Sequence, residues 1–186
     1  MLNSNIQTLM LAAAVVVGGS LAAAAENPMV GGAAMYASRN IIENAVNSKD
    51  HTTLVAAVKA AGLVETLSGK GPFTVFAPTN SAFAALPPGT VKNLLKPANK
   101  DQLVKILTCH AVAADAMSDA IRKMIMDDGG AHPVKTLGGC VFTAWSQGEW
   151  ILIEDERGNV AHVTIADVDQ SNGVIHVIDK VLLPKS

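Results

Sequence analysis

Charge of either sign is scarce in this 186-residue sequence, which has 14 basic and 16 acidic residues. This near balance provides no basic face of the kind that binds nucleic acid. It also argues against electrostatic attachment to an anionic membrane, which needs clusters of Lys or Arg. We therefore expect no nucleic-acid partner and no charge-driven binding to lipid.

Recognisable motifs for catalysis and metal binding are missing as well. The sequence has no G-x-S-x-G element, and Gly69-Lys70-Gly71 lacks the upstream glycine and the Ser or Thr of a phosphate-binding loop. No two of its five histidines lie within four residues of each other, whereas zinc ligands usually cluster locally. We expect no enzymatic activity, no metal site and no cofactor.

Residues 167–173 (DVDQSNG) match a calcium-binding loop only in part. The glycine comes one position too late, and Ile178 occupies position twelve, where an EF-hand loop needs a bidentate Glu. We therefore predict that this segment is a turn that leads into the last strand.

The first 25 residues contain no charged side chain, and Ala23-Ala24-Ala25 precede Glu26. An apolar stretch from Leu9 to Val17 followed by small residues is typical of a signal peptide, so residues 1–25 are predicted to be removed on export. A retained membrane anchor is the alternative interpretation. Leu9 to Ala25 would span about 25 Å as a helix, short of a hydrocarbon core of ~30 Å. We expect a secreted or periplasmic protein without stable membrane insertion after cleavage.

The rest of the chain changes its hydrophobic period along its length. Residues 26–37, with Pro28 and a Gly-Gly pair, are predicted to be a linker or N-terminal arm. Helical periodicity dominates residues 41–126, with Thr52 or Thr53 and Thr79 or Asn80 as candidate N-caps. A two-residue alternation follows, and it predicts strands at 134–137, 140–145, 150–154, 160–165 and 174–183. Helices first and strands later indicate an α+β domain.

The two predicted hairpin turns suggest where charged and aromatic side chains lie. The acidic run Glu154-Asp155-Glu156 is predicted to be a solvated tip, because clustered charge on a turn is usually exposed. Trp145 and Trp150 flank the Gln147-Gly148 turn, and we expect their side chains to pack across the two strands of the hairpin. An exposed tryptophan that anchors an interface is the alternative.

Three ordered segments resemble a known family. They are residues 71–83 (GPFTVFAPTNSAF), 107–112 (LTCHAV) and 172–184 (NGVIHVIDKVLLP). Their order and spacing resemble those of fasciclin domains, including the small secreted bacterial type to which mycobacterial antigens belong. The resemblance covers residues 38–184 and implies one domain with a twisted, wedge-shaped β-core and helices packed around it. One departure is Cys109, because the family usually has an aromatic residue before the histidine of the middle segment.

The resemblance also implies a function. Fasciclin domains act mainly in adhesion and cell-surface interaction, so we expect an interaction protein of the envelope or extracellular surface. Its partner would be an envelope, matrix or host-surface protein or glycan. The alternative is a periplasmic carrier of a small apolar or glycan ligand. A deep apolar pocket with a few polar groups would favour the carrier, and a flat exposed patch would favour the interaction module.

Five residues of the matching segments are candidates for a motif or interaction role: Cys109, His110, Asp167, Asn172 and His176. By resemblance, His110 is the motif histidine, which is associated with both core integrity and adhesion. The residues themselves favour structure, because a histidine after an apolar helix or within an apolar strand is usually buried and hydrogen-bonded.

The sequence contains only two cysteines, Cys109 and Cys140. In an oxidising compartment they could form a disulfide bond. They could equally be two small buried thiols, since free cysteine is commonly buried. Spacing alone leaves both possibilities open.

Overall fold

The computed structural model describes residues 27–185. In this part of the chain, local sequence signals produce short helices in the first half and long strands in the second. The helices are α1 (Ile41–Ala45), α2 (Thr52–Ala61), α3 (Val64–Ser68), α4 (Asn80–Ala84), α5 (Thr90–Leu94), α6 (Lys100–Cys109) and α7 (Ser118–Asp127). The strands are β1 (Met29–Val30), β2 (Ala33–Ala34), β3 (Phe73–Pro78), β4 (Ala111–Val112), β5 (Ala131–Lys135), β6 (Val141–Gln147), β7 (Trp150–Glu154), β8 (Val160–Gln170) and β9 (Gly173–Ile178).

Seven of the strands form one mixed sheet in the order β4-β3-β9-β8-β7-β6-β5. Only β3 and β9 pair in parallel, with Val75 opposite Ile175, and the other neighbours are antiparallel. The sheet curls until its two edges approach each other. There the backbone N–H of Leu137 donates to the carbonyl of Ala111 at 2.8 Å, just beyond the end of β5. The result is a nearly closed, barrel-like wedge with helices around it, which confirms the α+β expectation.

Helix ends follow ordinary capping chemistry. Asn40 and Glu43 form a reciprocal capping box at the start of α1, and Thr79 caps α4 as predicted. Gly62 ends α2 with φ of 75°, a conformation that glycine adopts without steric cost. Neither Thr52 nor Thr53 caps α2 with its own side chain, contrary to the prediction. The side-chain oxygen of Asn80 accepts from the Thr53 N–H at 2.9 Å instead.

The sheet separates two hydrophobic clusters, because successive side chains of a strand point to opposite faces. Val75 and Ala77 of β3 join the cluster that receives α1, α2 and α6. Phe76, between them, joins the cluster that receives α7. The matching segment 71–83 therefore contributes to both halves of the core.

The segment predicted as a linker or N-terminal arm, residues 26–37, is described from residue 27 onwards. Its residues 29–34 form a two-stranded hairpin of β1 and β2, with Gly31 at φ of 58° in the turn. Val30 and Met35 are buried in the larger cluster. These two buried side chains anchor the segment as an N-terminal arm would, and they are too isolated to produce a detectable period in the sequence.

The polar segment 167–170 lies in a strand and not in the predicted turn. Strand β8 continues to Gln170, and its pairing with β9 shifts register twice, between Val163 and Val168. These bulges break the two-residue alternation that identifies a strand in sequence. The reversal into β9 takes place at Ser171 and Asn172 instead.

Candidate functional site

The first and last matching segments meet as the parallel pair β3–β9, about a hundred residues apart in the chain. At the start of this pair, the Phe73 N–H donates to the Asn172 carbonyl at 3.0 Å. A Cβ atom on Gly71 would overlap with the Asn172 carbonyl, and one on Gly173 would overlap with the Phe73 carbonyl. The Gly-Pro and Asn-Gly sequences are therefore two sides of one close backbone contact.

Asn172 connects three segments through its side chain. Its amide oxygen accepts from the Ile41 N–H at 3.0 Å, at the start of α1. Its amide nitrogen donates to the carbonyls of Leu67 and Gly69, each at 2.9 Å, at the end of α3. This side chain satisfies the polar backbone where two helices end on the sheet, which is a structural role.

His110 is buried and uses both ring nitrogens inside the protein. Nδ1 lies 2.8 Å from the Ile106 carbonyl, so it must carry the proton and donate. Nε2 accepts from the Leu182 backbone N–H at 2.9 Å. Burial disfavours the charged ring and lowers the pKa of His110 to about 4. The neutral histidine thus ties the segment after β9 to the end of α6.

His176 is a second buried histidine with a comparable arrangement. Its Nδ1 accepts from the Asp167 backbone N–H at 3.2 Å, and its Nε2–H donates to the Ala116 carbonyl at 2.8 Å. Burial lowers the pKa of His176 below its ordinary value, so this ring is neutral as well. It holds the loop before α7 against β8 and β9.

Asp167 joins this network through its carboxylate. One oxygen accepts from the Ser118 backbone N–H at 2.6 Å and the other from the Ser118 hydroxyl at 2.5 Å, at the start of α7. A serine, an aspartate and a histidine therefore lie together, but in the wrong order for nucleophilic catalysis. The serine donates to the aspartate, and both nitrogens of His176 are occupied by backbone groups, so the histidine does not activate the hydroxyl as it would in a catalytic triad.

Cys109 and Cys140 form a disulfide bond in the structure, with Cα atoms 5.5 Å apart. Both residues are buried, and the bridge connects the end of α6 to the start of β6 directly beside His110. Gly138 leaves room for it, since a Cβ atom at this position would overlap with the Cys109 sulfur. A sulfur bridge therefore occupies the position at which the family usually has an aromatic ring.

The five candidate residues fall into three neighbourhoods. Cys109 and His110 lie together at the end of α6, His176 and Asp167 are in direct contact, and Asn172 directly precedes β9. Both histidines and the cysteine are buried, so a partner cannot touch their side chains. Their proposed part in recognition stays a prediction, and only an indirect one through the fold.

One buried carboxylate has a structural role that its neighbours in the chain do not indicate. Asp155 was predicted to lie on a solvated hairpin tip, but it is 4% exposed. Its carboxylate accepts from the backbone N–H groups of Arg157, Asn159 and Leu183 at 2.8–2.9 Å. The Asp-x-x-Gly-Asn sequence predicts a local turn stabilised by the aspartate. It contains no information about the distant Leu183, which buries the group.

The cavities of the described residues differ in size and polarity. The two apolar cavities under α1 and α2 have volumes of only about 40 and 30 Å³. A polar cleft of about 470 Å³ lies beside Asn172, with Lys70 and Asp115 on its walls. An apolar groove of about 200 Å³ follows the seam between β4 and β5, over Phe76 and Met124. A mixed cleft of about 260 Å³ lies beside Trp150.

The two tryptophans are not cross-strand partners. Trp145 lies opposite Leu152, and Trp150 lies opposite Gln147 at the tip of the β6–β7 hairpin. Trp150 is 55% exposed, so the exposed alternative describes it better than the packing prediction. The strand register decides this outcome, because the tryptophans are five positions apart around a two-residue turn.

Within residues 27–185, no three His, Cys, Asp or Glu side chains converge in a way that could hold a metal ion. Over the same residues, no helix has both the length and the apolar character needed to cross a membrane. The predicted signal peptide, residues 1–25, lies outside the described residues.

Comparisons with known proteins agree with this architecture. A family model described as the fasciclin domain matches residues 49–184. Protein sll1483 of Synechocystis is 47% identical over 161 residues, covering 86% of this chain and 81% of that protein. The cell surface glycolipoprotein MPB83 of Mycobacterium bovis is 33% identical over 167 residues, covering 87% and 68%.

A solved structure shares the fold at low sequence identity. The structure of a FAS1 domain pair from the insect cell adhesion molecule fasciclin I matches with a TM-score of 0.70 at 18% identity. The match covers 78% of this chain and 51% of that chain, so this chain corresponds to about half of the pair. The expected wedge with surrounding helices is confirmed.

Proposed function

The chain belongs to the fasciclin family, and we propose that it is a non-catalytic interaction protein at the cell envelope or outside the cell. One observation carries this proposal. The side chains of the motif residues His110, Asn172 and His176 form hydrogen bonds to backbone groups inside the domain. These residues therefore stabilise the fold, and a partner would be bound by exposed residues elsewhere on the domain. Fasciclin domains are generally involved in cell adhesion, which agrees with such a scaffold.

The cavities favour an interaction protein over a carrier. Sites that enclose small ligands usually have volumes of ~300–1,000 Å³. The enclosed apolar cavities of the described residues are about 40 and 30 Å³, several times too small. The two largest clefts, of about 470 and 260 Å³, are open to solvent, and an open surface cleft suits contact with an external partner better than enclosure of a carried ligand.

Three observations support a location outside the cytoplasm. The first 25 residues have the composition of a signal peptide. The Cys109–Cys140 bridge is the kind of bond that persists in an oxidising compartment. A mycobacterial relative is named as a cell surface protein. Secretion or release into the periplasm would give this chain access to envelope, matrix or host-surface partners.

A test of location and binding uses the native host. Intact-mass measurement of the purified protein is expected to give a chain that begins near Glu26. Fluorescently labelled protein, refolded with its disulfide intact, is expected to bind cells lacking the gene saturably, and unlabelled protein should compete. Heat-unfolded protein is the control. A full-length chain in the cytosol, or binding that never saturates, would contradict the proposal.

A further inference from the structure

Trp150 is an exposed aromatic residue with a flat apolar ring and a single polar N–H group. It is 55% exposed at the first position of β7. Its neighbours in the chain hold it in place. Ile151 is buried, and Gly148 adopts φ of 59° in the tight turn that precedes it. The ring therefore projects from a rigid strand end and not from a long loop.

A charged pair of residues stands next to this ring. The Arg122 guanidinium, from α7, donates to the backbone carbonyl of Glu149. This bond holds the arginine beside the hairpin, and Glu149 itself is exposed. Together with Trp150 they border the cleft of about 260 Å³, which is close to the lower end of the usual range for ligand sites. The floor of the cleft contains Ile151, Val163, Thr164 and Ala166.

We propose that this cleft, bordered by Trp150, Arg122 and Glu149, is a binding subsite for a neutral oligosaccharide. A pyranose ring has an apolar face of C–H groups and an edge of hydroxyl groups. The indole ring matches the apolar face, because aromatic rings are large, rigid contact surfaces. The guanidinium can donate to hydroxyl oxygens and the carboxylate can accept from hydroxyl groups.

Charge favours a neutral glycan over an acidic one. Arg122 and Glu149 have opposite charges and both line the cleft, so its lining residues have no net charge. Recognition of sulfated or uronic-acid chains normally depends on several Lys or Arg residues together. The cleft has only one, and its guanidinium already donates to the Glu149 carbonyl.

The surroundings of Trp150 are unlike the centre of a protein–protein interface. Such an interface buries ~1,200–2,000 Å² and has an apolar core. The exposed residues beside Trp150 on the sheet are polar: Ser146, Gln147 and Thr164. Val141, another exposed apolar residue, lies at the opposite end of β6, roughly 20 Å away by strand geometry. One exposed aromatic ring beside polar side chains, over the small apolar lining of Ile151, Val163 and Ala166, suits a sugar better than an extended apolar protein surface.

This inference rests on the proposed interaction function, and it names the partner class. The probes are three neutral tetrasaccharides, cellotetraose, chitotetraose and maltotetraose, titrated into the secreted form of the protein by calorimetry. The Trp145→Phe variant leaves Trp150 as the only indole, so its fluorescence reports contact with a sugar directly. We expect a saturable change with at least one tetrasaccharide.

Matched variants locate the site. Trp150→Ala should weaken that binding by about tenfold or more, and Trp150→Phe by less. Arg122→Gln should also weaken it, whereas Lys123→Gln should not, because Lys123 is exposed and pairs with Asp127. Thermal unfolding of each variant shows that the change is not a loss of folding.

Each contrary outcome has a distinct meaning. No binding of any tetrasaccharide up to its solubility limit overturns the inference, as does binding that Trp150→Ala leaves unchanged. Cell binding that depends on Trp150 without any sugar binding would mean a protein partner, and it would overturn the glycan inference alone. Absence of saturable cell binding would contradict the proposed function, whatever the sugars do.

Discussion

His110 and Leu182 are joined by a hydrogen bond of 2.9 Å in which the leucine backbone N–H donates to the ring nitrogen Nε2. The bond connects two of the three segments that resemble the fasciclin family. It also completes the partners of a buried neutral ring, because Nδ1 is already bound to the Ile106 carbonyl. The motif histidine therefore stabilises the segment after β9 from inside the protein.

Replacing this ring should affect folding before it affects recognition. His110→Ala leaves the Leu182 N–H and the Ile106 carbonyl without their partner and opens a gap. We expect the free energy of unfolding to fall by about 1–3 kcal/mol, measured by urea denaturation. His132→Ala is the control, since His132 is partly exposed and bonds only to Asp128. A variant of unchanged stability that no longer binds its partner would mean that His110 acts in recognition and not in folding.

The same histidine makes stability depend on pH. Its pKa is about 4 in the folded protein and 6.5 in an unperturbed histidine. Between these values the unfolded chain binds a proton that the folded chain does not, so stability falls as the pH drops from 6.5 towards 4. The loss from His110 is about 3 kcal/mol in all and levels off below pH 4. Burial lowers the pKa values of His51 and His176 in the same direction, which adds to the loss.

Urea denaturation from about pH 7.5 down to pH 4 measures this dependence. The matched variant is His110→Gln, which removes the titrating group and should show a shallower fall of stability over the same range. An identical slope in both proteins would mean that other groups cause the pH dependence.

The disulfide should be detectable chemically and should contribute to stability. Protein that is unfolded without reductant is expected to have no thiol that reacts with an alkylating agent. Cys109 and Cys140 are separated by 31 positions, so in the chain-entropy model the bridge stabilises the fold by roughly 3.5–4 kcal/mol. Reductant should lower the melting temperature accordingly. The Cys109→Ala, Cys140→Ala double variant should not respond to reductant, and two free thiols in the wild type would refute the bridge.

The contact between the Gly-Pro and Asn-Gly sequences should tolerate no side chain. Gly173→Ala puts a methyl group against the Phe73 carbonyl, at a φ of 147° that only glycine adopts readily. We expect a loss of ~3 kcal/mol or more, or failure to fold, measured by expression and thermal unfolding. Gly129→Ala is the matched control, because this glycine also has positive φ but has open space around it. Its cost should be only the backbone strain of ~1–2 kcal/mol. Equal effects of the two substitutions would mean that the close contact is not what requires glycine.

Local rules explain what could be predicted. The Thr79 cap depends only on residues close to it in the chain, and it was predicted correctly. The strand Trp150–Glu154 was also located correctly, because its apolar run is bounded by turn residues. The candidate histidines were predicted to be buried, and this follows from their apolar neighbours in the chain.

Contacts between distant residues explain the misses. Asp155 was predicted to be exposed, but the segment around Leu183 covers it. Asp167 was predicted to lie in a turn, but Ser118 and His176 bond to it within a bulged strand. Such roles depend on partners 9–49 positions away, and no local pattern contains them.

The sequence alone determined the α+β class and the family, because periodicity and ordered short motifs are properties of neighbouring residues. Tertiary structure decided which side chains meet. It bonded His110 and Asn172 to backbone groups far along the chain, joined Cys109 to Cys140 and left Trp150 exposed beside Arg122. The reason is that curling the sheet into a wedge brings α6, α7 and the end of the chain together, and that geometry is set by all strands at once.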